Sequence, residues 1–229
     1  QEINPTDITF NNDGTKMYVT GISGTDVNEY TLSTAFDIST ASFTTNFSVN
    51  AEETSPRGIT FKTDGTKMYI VGQTGDDVNQ YSLSTAYDIS SASFDSVTFS
   101  VSSQDTTPQG IAFNNDGTKM YMIGDSNNSV YQYTLSTGFD ISTASYDSVL
   151  ISVAPDITPR GMTFSNDGTK MYIVGASTDG VYQYTTGSVF TPTSAYHPTV
   201  TKAGGQIDTA YWTDINTMTA DETLNGGEV

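Results

Sequence analysis

Apolar and polar residues alternate in short runs along most of the chain, and no stretch sustains a helical period for more than about a turn. Gly58-Ile59-Thr60-Phe61 alternates, which places successive side chains on opposite faces of a strand. Lys62-Thr63-Asp64-Gly65 then predicts a hairpin turn, because Asp can bond its own backbone and Gly tolerates positive φ. Lys67-Met68-Tyr69-Ile70-Val71 is nearly all apolar, as befits a strand covered on both faces. A polar loop leads to a third strand, Val78-Asn79-Gln80-Tyr81-Ser82-Leu83. Asp88-Ile89-Ser90-Ser91-Ala92 predicts a capped turn or one short helical turn, and Val97-Thr98-Phe99-Ser100-Val101 alternates as a fourth strand.

The same pattern recurs. Asp-Gly-Thr-Lys-Met-Tyr begins at Asp13, Asp64, Asp116 and Asp167, at spacings of 51, 52 and 51 residues. Pro5, Pro56, Pro108 and Pro159 keep step with it, as do Phe10, Phe61, Phe113 and Phe164. Tyr30, Tyr81, Tyr133 and Tyr184 follow, and a Leu-Ser-Thr-x-x-Asp-Ile-Ser box starts at Leu32, Leu83 and Leu135. Four-stranded units of this length in tandem predict an all-β fold, a β-propeller of four blades of about 51 residues. A small sheet with two apolar faces cannot bury both alone, whereas stacked blades bury each against a neighbour. A β-solenoid fits less well, because its coils are shorter and lack the regular Asp-Gly hairpin. Separate sandwiches would need more than 51 residues each.

The units run over about 1–51, 52–102, 103–154 and 155–186, and 187–229 diverges after Tyr184. The chain opens on Gln1 inside the motif pattern, and both ends read as cuts in a longer chain. Four blades can close a ring by themselves, and so can these four as part of a larger ring. Residues 187–229 hold the chain's one His, His197, and its one Trp, Trp212. They are expected to complete the last blade or to link to a further domain rather than to form a fifth blade. Part of 187–200 should supply the outer strand, and the stretch around Trp212 should pack on the propeller or on another subunit.

Phe-x-x-Asp-Gly-Thr-Lys-Met-Tyr followed by Val-x-Gln-Tyr-x-Leu resembles the blade pattern of lactonase-like and TolB-like β-propellers. The fuller unit, with its Leu-Ser-Thr-x-x-Asp-Ile-Ser box, resembles repeats in uncharacterised proteins of marine phages and environmental bacteria, often tail-fibre-like or surface proteins. The resemblance covers about 1–186 and implies a propeller fold. It says little of function, because the matching residues are turn and core positions.

Charge narrows the function. Lys and Arg total 8 against 26 Asp and Glu, a formal net charge of −18. Nucleic-acid binding and docking on anionic membranes both need clustered Lys and Arg, so both are disfavoured. No apolar run approaches the length of a membrane-spanning helix, and the absence of Cys removes disulfides, thiol nucleophiles and thiolate metal sites. A hydroxyl-rich acidic surface suits an extracellular or virion-surface setting.

Three candidate sites follow. The Asp-Gly-Thr-Lys loop reads as a structural turn with Lys16, Lys67, Lys119 and Lys170 as solvated strand-end charges, since it lacks the ligand spacing of an EF-hand. The loops between second and third strands vary from unit to unit, as binding faces do. They supply Asp26, Asp77 and Asn128 as ligand candidates, and Asp76, Asp77 and Asp125 as candidates for Ca²⁺. Ordinary turn chemistry is the plainer reading of all of them. The second residue of each first strand is Thr6, Arg57, Gln109 or Arg160, which in a propeller lies near the channel entrance. Arg57 and Arg160 are the chain's two arginines, and their guanidinium forks suit an anionic or sugar ligand. Pairing with Glu52, Glu53 or Asp156 is the plainer alternative.

Catalysis finds little support. The resemblance to lactonase-type propellers implies metal-binding acids or histidines at the channel mouth, and lyase-like relatives use histidine, whereas His197 lies outside the repeats. The expected function is therefore a non-catalytic structural or recognition module of a virion-associated or cell-surface protein, without a cofactor unless Ca²⁺, that binds glycans or a partner protein. A lactonase-like hydrolase or lyase is the alternative, and a self-assembling fibre subunit is a third.

Overall fold

The computed structural model describes residues 2–153, 158–177 and 180–186, and the backbone alone of 199–202, 206–214 and 217–221. The fold is all-β. Blade 1 comprises β1 (Pro5–Phe10), β2 (Lys16–Gly21), β3 (Asp26–Leu32) and β4 (Ala41–Ser48). Blade 2 comprises β5 (Pro56–Phe61), β6 (Lys67–Gly72), β7 (Asp77–Leu83) and β8 (Ala92–Ser100). Blade 3 comprises β9 (Pro108–Phe113), β10 (Lys119–Gly124), β11 (Ser129–Leu135) and β12 (Ala144–Ser152), and blade 4 begins with β13 (Pro159–Phe164), β14 (Lys170–Gly175) and β15 (Gly180–Thr185). Each is an antiparallel meander in chain order. The first strands line up side by side, β1 on β5, β5 on β9 and β9 on β13, so the four blades form a β-propeller arrangement around an axis.

The divergent segment continues the fourth sheet. β16 (Thr199–Lys202) pairs with β15 through Tyr182↔Lys202 and Gln183↔Thr201, and β17 (Gln206–Asp214) and β18 (Thr217–Asp221) extend the same sheet to six strands. The outer strand thus begins at Thr199, at the far end of the expected 187–200 window. His197 and the packing of the Trp212 side chain lie outside the described residues.

Local chemistry explains the repeated hairpin. The Asp64 carboxylate accepts from the Thr66 N–H at 3.0 Å and from its hydroxyl at 2.6 Å. Asp13, Asp116 and Asp167 do the same with Thr15, Thr118 and Thr169. Gly65 follows at φ +73°, and a Cβ there would strike the Tyr87 ring. No other residue meets both demands. The lysines that follow are not solvated charges, because partners reach them from later strands of the same sheet. Lys16 pairs with Glu29 at 2.8 Å, Lys67 with Asp95 at 2.9 Å and Lys119 with Asp147 at 2.8 Å, while Lys170 donates to the Thr185 hydroxyl at 2.7 Å.

The core lies between blades. One face of blade 2, with Tyr69, Val71 and Val78, packs on Ile111, Met120, Met122 and Tyr133 of blade 3. The corresponding face of blade 1 packs on Ile59, Met68, Ile70 and Tyr81 of blade 2, and that of blade 3 on Met171, Ile173, Tyr182 and Tyr184 of blade 4. The Asp-Ile-Ser box forms a single 3₁₀ turn at Ile38–Thr40, Ile89–Ser91 and Ile141–Thr143, capped by Asp37, Asp88 and Asp140. Ile89 and Ile141 are fully buried at these joints, where the turn meets the preceding blade.

Candidate functional site

Each first strand opens with a Pro, which has no N–H to give the ladder, and the residue after it bulges out of register. The shift falls between Pro5 and Asp7, between Pro56 and Gly58, and between Pro159 and Gly161, and β9 pairs past Gln109 in the same way. Thr6, Arg57, Gln109 and Arg160 are therefore the bulge residues of four adjacent strands. A bulge re-aims its side chain away from the sheet, so the four side chains form one rim at the start of four adjacent strands.

The four members differ in their commitments. Thr6 is used structurally, its hydroxyl donating to the Pro56 carbonyl at 3.0 Å. Arg160 forms an ion pair with Asp125 of blade 3 at 3.1 Å, and the Gln109 amide donates to the same carboxylate at 3.4 Å. Arg57 is half-buried, and its Nε has no hydrogen-bond partner among the described residues. Burial and the nearby Arg160 charge hold its guanidinium below the ordinary value, with Glu53 and Asp125 opposing. The structure thus brings Arg57, Gln109, Arg160 and Asp125 together.

Glu53 is spoken for elsewhere. Its oxygens accept from the N–H groups of Ser55 at 2.6 Å, Thr74 at 3.1 Å and Gly75 at 3.4 Å. Asp105 receives Thr107, Ser126 and Asn127 in the same manner, and Glu2 receives Asn4, Ser23 and Gly24. These acids are an unread column of the repeat: each ties the start of its blade to the variable loop. Glu52 is likewise engaged, accepting from the Tyr81 hydroxyl at 3.3 Å, and Asp156 lies outside the described residues.

The variable-loop candidates hold the loops themselves. Asp26 is 8% exposed, with one oxygen accepting from Asn28 and the other from Asn46, both at 2.7 Å. Asp77 accepts from Asn79 at 2.7 Å, and burial pushes its carboxyl up to about 6. Asn128 and Asp76 occupy left-handed turn positions at φ +48°. Burial, with Glu53 and Asp105 close by, raises the Asp76 carboxyl. Among the described residues no three His, Cys, Asp or Glu side chains are arranged to hold a metal ion, so Asp76, Asp77 and Asp125 do not converge.

One group was missed from the sequence. Asp7 stands in blade 1 where the other blades have Gly58, Gly110 and Gly161. It lines a cavity of about 320 Å³ with Ile59, Ile111, Met162 and Val174. Its carboxylate accepts from the N–H groups of Ile8 at 2.8 Å and Ile59 at 2.9 Å, yet burial pushes its pKa up to about 6. The break in the Pro-x-Gly column was the available signal.

The chain matches no protein-family profile and no curated protein. Its fold is similar to that of solved β-propeller structures. A protein of Bacteroides fragilis provisionally assigned as a 6-phosphogluconolactonase superposes with a TM-score of 0.56 at 14% identity, over 95% of this chain and 58% of that one. A periplasmic gluconolactonase of Pseudomonas aeruginosa gives 0.50 at 12% identity, over 93% and 55%. A nidogen/laminin complex gives 0.54 at 12% identity, over 94% and 84%. The chain therefore spans little more than half the length of the lactonase-like structures, and likeness at this identity carries the fold alone.

Proposed function

We propose that the chain is a non-catalytic recognition module of a cell-surface or virion-associated protein, and that the bulge rim binds an anionic group on a glycan or a partner protein. The observation that carries this reading is Arg57. Its Nε lacks a hydrogen bond, Glu53 is committed to loop N–H groups, the Asp125 carboxylate is paired with Arg160, and that second guanidinium stands close by. Two like charges at one rim repel, and a carboxylate, sulfate or phosphate between them would relieve that repulsion with charge-assisted bonds. Titration calorimetry with acidic and neutral oligosaccharides tests it: the intact chain should bind the acidic set, and R57Q should lose that binding while keeping its fold. Equal binding of both sets, or no effect of R57Q, would overturn the rim as the site.

A second reading rests on Asp7. A carboxyl near pKa 6 in the channel cavity has the properties of a general base, and lactonase-like propellers share this fold. A lactone-hydrolysis assay separates the two readings, because only an enzyme would show turnover that D7N abolishes.

A further inference from the structure

The rim residues have companions in the repeat, the residues that follow the second strand of each blade. These are Ile22, Gln73, Asp125 and Ala176 in blades 1 to 4. All four hold the same backbone place, because their N–H groups donate to the carbonyls of Asn4, Ser55, Thr107 and Thr158 at 3.2, 3.2, 3.0 and 3.0 Å. Asp125 is the one acid among them. Its carboxylate meets Arg160 of the next blade at 3.1 Å and takes the Gln109 amide of its own blade at 3.4 Å.

Blades 1 and 2 repeat that joint with one partner missing. Arg57 stands in blade 2 where Arg160 stands in blade 4, and Ile22 stands in blade 1 where Asp125 stands in blade 3. The inner strands β1 and β5 lie side by side as β9 and β13 do, so the two joints share one frame. An isoleucine side chain cannot accept a hydrogen bond, and Arg57 Nε is buried without a partner among the described residues. Glu53 is turned to the N–H groups of its own loop. Ile22 and Arg57 are each only half-buried, so a ligand can reach the place from solvent.

We propose that the joint of blades 1 and 2 is a carboxylate socket, in which Arg57 takes the carboxylate of a singly charged ligand as Arg160 takes that of Asp125. This rests on the rim reading and adds which anion is bound and where. Asp125 displays the chemistry: a planar carboxylate matches the guanidinium fork and forms charge-assisted bonds with it. Charge restricts the ligand further. Two guanidiniums and one carboxylate leave the rim one positive charge in surplus, and a chain of net charge −18 repels any second negative charge.

Arg57 and Arg160 are the chain's two arginines, so an arginine-edited nitrogen–proton spectrum of the 1–229 chain holds two Nε signals, which R57Q assigns. Methyl glucuronide and N-acetyl-aspartate amide present one carboxylate on a sugar and on an amino acid. At least one should shift the Arg57 signal to saturation and leave the Arg160 signal in place, and the tighter of the two identifies the source. I22D supplies the missing carboxylate from within. It should move the Arg57 signal without ligand and weaken the tighter probe by about tenfold or more. D125N is the converse, and should make the Arg160 signal respond to that probe. Glucose 6-sulfate binding as tightly as either carboxylate overturns the choice of anion. Binding that R57Q abolishes overturns the socket, and spares the rim, if a folded I22D leaves it unchanged or if Arg160 in D125N ignores the probe. An Arg57 signal that no anion moves overturns both.

Discussion

Val71 and Val174 occupy the same place in the second and fourth copies of one repeat, but the first is wholly buried and the second is 46% exposed. Their sheets are built from the same pattern, and the difference lies in what stands beyond them. Blade 2 has blade 3 against the face that carries Val71, whereas among the described residues the matching face of blade 4 borders an open cavity. The contrast teaches that the repeat encodes a sheet with two adhesive faces, and that burial belongs to the joint rather than to the blade. Stability in such a stack is a sum over joints.

The contrast can be broken most forcefully at the valines. V71A should destabilise the chain by about 2–3 kcal/mol through lost burial and the cavity left behind. V174A should change stability by under about 1 kcal/mol, read by chemical denaturation. Equal effects would show that position, not the joint, sets the energy.

Gly58 and Gly161 sharpen the point next. A Cβ at Gly58 would lie 2.8 Å from the Gly110 backbone, so the two inner strands must shift apart, whereas one at Gly161 would meet only the Val174 side chain at 3.4 Å. G58A should therefore lose about 1–3 kcal/mol, as overpacking does. G161A should be neutral or slightly stabilising, through the restricted unfolded chain. Thermal melts of the two variants suffice. Tyr69 and Tyr172 form a gentler pair: Y69F removes the hydrogen bond to Phe139 and should cost about 1 kcal/mol, while Y172F should cost less.

A pH-dependent effect is expected at Asp7, the residue that replaces glycine in the first blade. Its folded pKa, about 6, lies above the unfolded value of 3.8, so between these the folded state binds more protons than the unfolded one. Its contribution is greatest in acid and falls as pH rises through about 6. Relative to the parent, D7N should lack that loss between pH 4 and 6 in melting temperature. Parallel profiles would mean that Asp7 is not perturbed by burial.

Much of this was legible beforehand. The Asp-Gly turn, the strand order and the repeat length follow from local chemistry and periodicity, and the Asp88 cap was readable as such. The lysines misled, because Asp95 and Asp147 pair with Lys67 and Lys119 from 28 residues away, beyond any local window. Asp26 and Asp77 read as loop acids open to a ligand, whereas Asn28, Asn46 and Asn79 hold them. Glu53 read as a partner for Arg57, but the backbone of its own loop claims it.

By itself the sequence determined the blade: alternation set the strands, Asp-Gly the hairpin, and the 51-residue period the tandem stack. Tertiary structure alone decided that the residue after each Pro bulges out of register, that Arg57 lacks the partner Arg160 has, and that Val174 is exposed where Val71 is not. The physical reason is one of range. Turn and strand preferences act within a few residues, whereas the fate of a guanidinium or an apolar face depends on which neighbouring blade arrives to meet it.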